Sequence, residues 1–370
     1  MGKVLFIINS GVYPKIVGGM EIFNYHLIRQ LSEDKDIQVS YMATAKYNYD
    51  SATYIRTPSI KPMSIFLPVY LFVYLLFHRE YKKVVFSFSS ASWILWYLYA
   101  CVVNILRLES IIVIHHGKDV AKDHVSGYKK FFKLARYVIA VSEDIKNNYD
   151  AAYDIECTVV YPLIPFTLPD NDKEFYRKQY NVPLHSNVIA MVGSLKRMKN
   201  PIRLLEALAL FEEEELVYYN PLIIYAGDGP QIENLKKFIS DKNLTKYVRF
   251  LGVIPNETIR EVMTIADIYV IASDFEGTSI SLLEAMFNSK AIIASDVPGL
   301  NYMITHDFNG LLYDVASSSV LKNCMVKLME DKKYATNLGM HARTCYEKKY
   351  SYDAMLNYYK EITSVPLRDY

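Results

Sequence analysis

Glu276-Gly277-Thr278-Ser279-Ile280-Ser281-Leu282-Leu283-Glu284-Ala285-Met286, directly after the apolar run Ala266-Asp267-Ile268-Tyr269-Val270-Ile271-Ala272-Ser273, is the stretch on which the reading of this chain turns. The β-branched run predicts a buried strand that ends in a polar loop, so Glu276 falls at a strand's carboxyl end. Ser279 to Phe287 then reads as helix. The backbone N–H groups of Gly277 to Ile280 would therefore lie at a helix N-terminus, where anions are favoured and a phosphate can dock. Two carboxylates eight residues apart bracket that short loop.

Outward from this stretch, strands and helices alternate along the whole chain. Lys3 to Asn9 is an opening strand, followed by a loop through Pro14 to Gly18-Gly19 and a helical pattern from Glu21 to Leu31. Strand, glycine loop and helix form an anion-cradling order, and the spacing is not the dinucleotide G-x-G-x-x-G, which disfavours an NAD fold. Val84 to Phe88, Ser110 to Ile114 and Tyr137 to Val141 are apolar runs suited to central parallel strands. The run from Ser110 ends in His115-His116-Gly117, at the sheet edge where ligands usually bind. Ser142 is placed to cap the next helix.

Pro162, Pro165, Pro169 and Asp170-Asn171-Asp172 make a polar, proline-rich joint. A second series follows: strands at Val188 to Gly193, Leu222 to Ala226, Val248 to Leu251, Ile268 to Ala272 and Ala291 to Ser295, with helices between them. The expected architecture is α/β, two doubly wound Rossmann-like domains. Residues 1–165 form the first, 166–345 the second, and 346–370 end in an amphipathic helix, Ser351 to Lys360. The acidic run Glu212 to Glu215 sits at a helix end and reads as a solvated surface.

The chain has 370 residues, enough for two cores, and its formal charge of +1 argues against a nucleic-acid partner. The balance is uneven, with 18 Lys and Arg against 14 Asp and Glu in residues 1–165. Cys101, Cys157, Cys324 and Cys345 lack C-x-x-C or zinc-ligand spacing, which fits a reducing cytoplasm. Val4 to Asn9 follows Met1-Gly2-Lys3 without a cleavage site, so no secretory signal is read there. The apolar runs Met63 to Phe77 and Ala91 to Leu106 fall short of the ~20 residues a spanning helix needs. They are expected as buried or interfacial helices, beside His78, Arg79, Lys82 and Lys83, which suit a headgroup region.

Glu276 and Glu284 together resemble the E-x7-E signature of the family 4 retaining glycosyltransferases, which have the GT-B fold, and the resemblance runs over nearly the whole chain. It implies two domains facing a central cleft, with the C-terminal helix crossing back to the first. Carried over, Glu276 would hold the donor sugar's hydroxyls and Glu284 the ribose. Gly18, Gly19 and Glu21 are in register with the family's G-G-x-E loop, and His116, followed by glycine, matches its cleft histidine. Gly193-Ser194-Leu195-Lys196-Arg197-Met198-Lys199-Asn200 resembles its G-R-L-x-x-x-K-[GN] loop, with Lys199 at the phosphate-binding lysine. Two departures stand out. Ser194 replaces the customary arginine, a role Arg197 or Lys196 could take over, and Thr278 and Ser279 replace the usual proline or phenylalanine.

The resemblance implies a retaining transfer from a nucleoside diphosphate sugar to a carbohydrate or isoprenoid-linked glycan, in bacterial surface polysaccharide synthesis. His116, Lys199 and Glu276 are the catalytic candidates. Gly18, Gly19, Ser194, Arg197, Lys199, Gly277, Thr278, Ser279, Ile280 and Glu284 are the donor-binding ones. Asp34-Lys35-Asp36 and Asp170-Asn171-Asp172 lie in polar joints rather than at strand ends, so no metal and no cofactor are expected. The expected location is cytoplasmic, with peripheral contact at the inner membrane face. Two rivals stay open: a catalytically silent GT-B subunit, prompted by Ser194, and a GT-B sugar-nucleotide epimerase.

Overall fold

The computed structural model describes residues 2–8, 19–43, 51–56, 66–88, 93–115, 125–162 and 164–364. Two compact units account for them: Met1–Ile164 with Tyr352–Tyr370, and Pro165–Ser351.

The first unit is built on a seven-stranded parallel sheet. Its strands are β1 (Gly2–Ile8), β2 (Ile37–Ala43), β3 (Thr53–Arg56), β4 (Tyr81–Phe88), β5 (Glu109–Ile114), β6 (Tyr137–Ala140) and β7 (Thr158–Val159), in the order β3-β2-β1-β4-β5-β6-β7. Central strands buried on both faces need continuous apolar sequence, and Val4, Leu5, Phe6, Ile112, Val113 and Ile114 meet that requirement. Trp96 is fully buried, its ring edge-on to Phe86 at 5.9 Å. Ser142 caps the helix Glu143–Tyr153 by accepting from the Ile145 N–H at 3.3 Å. The last helix, Tyr352–Ser364, packs within this unit. Buried Lys83 donates to the Ile362 carbonyl at 2.8 Å and faces Glu109 at 3.4 Å, and Lys360 pairs with Asp34 at 2.8 Å. Lys83, read from sequence as a headgroup cation, is thus a helix anchor, and burial pulls its pKa down.

The second unit carries a six-stranded parallel sheet of β8 (Asn187–Val192), β9 (Pro221–Ala226), β10 (Val248–Gly252), β11 (Ile268–Ile271), β12 (Ala291–Ser295) and β13 (Leu311–Tyr313), in the order β10-β9-β8-β11-β12-β13. Succession runs one way from β8 to β10 and the other way from β11 to β13. The adjacent pair β8 and β11 therefore marks the point where strand order reverses, and loops leaving their carboxyl ends part to leave a crevice.

Both aspartate pairs have local structural duties. Asp34 accepts from the Asp36 N–H at 3.0 Å besides its pair with Lys360. Asp172 caps the helix Lys173–Gln179, and Asp170 pairs with Arg260 at 3.0 Å. Among the described residues no helix is long and apolar enough to cross a membrane, and no group of three or more His, Cys, Asp or Glu could hold a metal.

Candidate functional site

The crevice of the second unit is assembled from two loops. One leaves β8 as Gly193-Ser194-Leu195-Lys196, then turns through a short 3-10 helix, Arg197–Lys199, to Asn200, which sits in the left-handed region at φ +48°. The other leaves β11 as Ala272 to Thr278 and enters the helix Ile280–Phe287, capped by Ser279, whose hydroxyl accepts from the Leu282 N–H at 3.3 Å. Each loop is bonded to the other. The Asp274 N–H donates to the Met198 carbonyl at 2.9 Å, and the Asn200 amide donates to the Asp274 carboxylate at 3.1 Å.

That clamp brings Lys199 and Glu276, 77 residues apart in sequence, into one ion pair. Glu276 is 7% exposed, and besides the Lys199 ammonium it meets the Ser273 hydroxyl, which donates to the same oxygen at 2.7 Å. The Ser273 carbonyl in turn accepts from the Ser295 hydroxyl at 2.6 Å. Gly193, Ser194, Lys199, Tyr269, Ser273, Glu276 and Ser281 line a common pocket beside the β8 and β11 ends.

Glycines hold this backbone where side chains could not fit. Gly299, at φ +91°, lies so close to the second loop that a Cβ there would stand 2.0 Å from the Glu276 carbonyl oxygen. Gly227, at φ +145°, approaches Gly193 in the same way, its Cβ position 2.0 Å from the Gly193 carbonyl oxygen. Both contacts fix loop positions that carry Glu276 and Ser194.

Glu284 lies on the helix Ile280–Phe287, 6% exposed, and among the described residues its carboxyl has no hydrogen-bond partner. Burial pushes its pKa up to about 8, so it is largely protonated at neutral pH and can donate as well as accept. Tyr269 lies between the two glutamates electrostatically. Burial raises its pKa, both carboxylates add to that, and its hydroxyl donates to Ser281 at 2.8 Å.

The structure therefore gathers Ser194, Lys199 and Glu276 around one pocket. Gly277, Thr278, Ser279 and Ile280 form the turn into the helix that carries Glu284. Arg197 is exposed and has no side-chain partner among the described residues, and it does not line the pocket. Gly19 is the first residue of the helix Gly19–Glu33, in the other unit, while Gly18 and His116 lie outside the described residues. His115, the neighbour passed over in the sequence, is tied in: its Nε2 lies 3.0 Å from the Ser87 hydroxyl, which donates to Asn24 at 3.0 Å, and its ring meets Phe23 at 4.8 Å. Ser273, Tyr269, Ser281 and Gly299 were missed by sequence reasoning. Ser273 alone left a signal, as a hydroxyl at the strand end three residues before Glu276.

Residues 172–344 match the model of the family described as glycosyl transferases group 1. Across 98% of this chain and 98% of the relative, the sequence is 24% identical to an uncharacterized glycosyltransferase of Methanocaldococcus jannaschii. It is 30% identical over 206 residues to the D-inositol 3-phosphate glycosyltransferase of Corynebacterium efficiens, covering 54% of this chain and 48% of that one. Among solved structures, the Anabaena protein HepE in complex with UDP superimposes with a TM-score of 0.76 at 17% identity, covering 98% of this chain and 100% of the other. A glycosyltransferase from Rickettsia africae gives a TM-score of 0.80 at 17% identity, covering 98% and 97%. The two parallel-sheet units are the GT-B fold, and the stretch that matches the group 1 glycosyl transferase model, residues 172–344, contains Lys199, Glu276 and Glu284.

Proposed function

We propose that this protein is a retaining glycosyltransferase that moves a sugar from a nucleoside diphosphate to a carbohydrate or lipid-linked carbohydrate acceptor. The observation that carries the reading is the Lys199–Glu276 pair at the strand-order reversal of the second sheet. A cation beside a hydroxyl-binding carboxylate is what a sugar diphosphate requires. Lys199 faces the diphosphate, Glu276 accepts from sugar hydroxyls, and Glu284, protonated, exchanges hydrogen bonds with the ribose. Relatives support the donor class: HepE has been solved with UDP-glucose. Support for a lipid-linked acceptor comes from an Escherichia coli relative, 28% identical over 179 residues covering 48% of this chain and 44% of that one. It is named as a UDP-Gal:alpha-D-GlcNAc-diphosphoundecaprenol alpha-1,3-galactosyltransferase.

In the reaction the bond from the anomeric carbon to the diphosphate oxygen breaks, and its electron pair stays on the leaving group. The acceptor oxygen bonds to the same face of that carbon and passes its proton to the departing phosphate. Positive charge fixed beforehand at Lys199 and at the helix N-terminus after Ser279 stabilises the developing charge without reorganisation. Arg197 is the second cation in this proposal, free to turn toward the diphosphate. The transfer is assigned no metal, because these groups supply the charge a metal would. The setting is a bacterial cytoplasm, with the acceptor presented at the membrane's inner face.

The test is product analysis with UDP-, GDP- and ADP-sugars in the presence of chelator. The reading expects nucleoside diphosphate release from one donor class and a product with the donor's anomeric configuration by proton NMR. An inverted product refutes retention, sugar-nucleotide conversion without acceptor selects the epimerase, and binding without turnover selects the silent subunit.

A further inference from the structure

The helix Leu67–Phe77, with sequence LPVYLFVYLLF, contains no charged residue, yet it lies on the surface of the first unit. Its outward positions, starting from Phe66 just before it, are Phe66, Val69, Tyr70, Val73 and Phe77, spaced to fall on one side of the helix. Phe66 is 63% exposed and Phe77 82%. The helix Trp93–Ile105 packs beside it and adds Ile94, Leu98 and Ile105, the last 68% exposed. A surface helix normally turns its charges outward. Here eight large apolar side chains are solvated instead, a patch of roughly 800 Å² at about 150–200 Å² per side chain, above what monomeric proteins leave uncovered.

At one end of the two helices the patch meets a basic rim. Leu75, Arg79, Tyr81, Lys82, Leu106, Arg107 and Leu108 line a pocket of about 250 Å³. Among the described residues neither the Lys82 nor the Arg107 side chain has a partner, while the neighbouring acid, Glu80, is already engaged by Lys3 and His78 at 3.2 Å each. Arg107 lies two residues past the helix end at φ +56°, with the Leu108 N–H returning to the Val103 carbonyl at 2.9 Å, a turn that glycine makes at least cost. An arginine stands where the backbone favours glycine.

We propose that this face of the first unit docks on an anionic lipid bilayer. The two apolar stripes enter the acyl boundary, and Arg79, Lys82 and Arg107 take headgroup phosphates at the mouth of the pocket. Charge decides between the candidate occupants. A second copy of the chain would bring two cationic rims together, whereas an anionic bilayer offers apolar depth and phosphate at matching levels. The docking stands apart from glycosyl transfer and is tested without it.

The experiment is co-sedimentation of the full chain with vesicles of neutral phosphatidylcholine and of phosphatidylcholine with phosphatidylglycerol. Wild type is expected to bind the anionic vesicles at least tenfold more tightly, with the preference falling as salt is raised. Phe77→Ser with Ile105→Ser, both at exposed positions, should lower binding to anionic vesicles by tenfold or more. Arg107→Gly with Lys82→Gln should remove the anionic preference and its salt dependence while leaving the folded state intact by circular dichroism. Absence of wild-type binding to either vesicle overturns the proposal. So does binding that the serine pair leaves unchanged, or a dimer that the serine pair dissociates without any vesicle binding.

Discussion

Replacing Glu284 by glutamine should stabilise the protein, and by an amount that grows with pH. The carboxyl is buried without a hydrogen-bond partner among the described residues, and burial pushes its pKa up to about 8, against 4.5 for an ordinary glutamate. Because the folded value lies above the unfolded one, the native protein keeps a proton that the unfolded chain has released. Stability therefore falls as pH rises from 4.5 towards 8 and is level below and above that window. Each pH unit inside it corresponds to ~1.4 kcal/mol, so the loss between pH 4.5 and neutrality is about 3 kcal/mol. Glutamine has nearly the same shape and no charge to desolvate. Guanidinium unfolding of wild type and Glu284→Gln at pH 4.5, 7 and 8.5 reads the difference between the two directly. The variant should gain on wild type by about 3 kcal/mol between the first two conditions. A difference that stays flat with pH, or that shrinks, would show that the carboxyl is ionised and solvated and would remove the argument for its protonated role at the ribose.

Three further outcomes follow from the same geometry. Lys199→Ala should lower turnover about 10²- to 10³-fold, the usual effect of deleting one preorganised charge-stabilising group, as measured by nucleoside diphosphate release. Gly299→Ala should cost about 1–3 kcal/mol and weaken donor binding, because its Cβ would collide with the Glu276 carbonyl oxygen. Gly252→Ala, also at positive φ but with nothing within 4 Å of the new Cβ, should lose stability through the backbone alone and bind donor normally. Arg197→Ala should weaken donor binding roughly tenfold, a typical order for one charge-assisted contact; unchanged affinity and turnover would leave Arg197 without a role.

The parts of this structure that could be read beforehand are those where a local signal and the tertiary outcome agree. Central strands such as Ile268–Ile271 are continuous apolar runs because both their faces are buried, and Ser142 caps its helix as its position suggests. Edge strands left weaker marks. Thr53–Arg56 and Thr158–Val159 are short and partly exposed, and Leu311–Tyr313 has three residues, too few to show a period. The acidic run Glu212 to Glu215 reads in sequence as a solvated surface at a helix end. Glu212 to Glu214 are exposed as that reading has it, and the run also starts a helix, with the Glu212 N–H donating to Glu215 at 2.7 Å and Glu215 paired to Lys322 at 2.7 Å.

At the site, the family pattern named Lys199, Glu276 and Glu284, but their mutual arrangement is a tertiary fact. No spacing rule says that a lysine will pair with a glutamate 77 residues away, or that the second glutamate will be buried with no hydrogen-bond partner among the described residues. Gly299 shows the same limit. Its importance lies in the Glu276 backbone packed against it, which only the folded chain brings there. The outward apolar face of Leu67–Phe77 was equally ambiguous in one dimension, since a run without charges fits a buried helix as well as an interfacial one.

The account rests on Lys199, Glu276 and Glu284 forming one nucleotide-sugar site, and calorimetric titration of wild type, Lys199→Ala, Glu276→Gln and Glu284→Ala with UDP-, GDP- and ADP-sugars in chelator tests that most directly. Micromolar binding of one nucleotide class by wild type, weakened in all three variants, is the predicted result. No binding to any class, or binding that the three substitutions leave untouched, would contradict it.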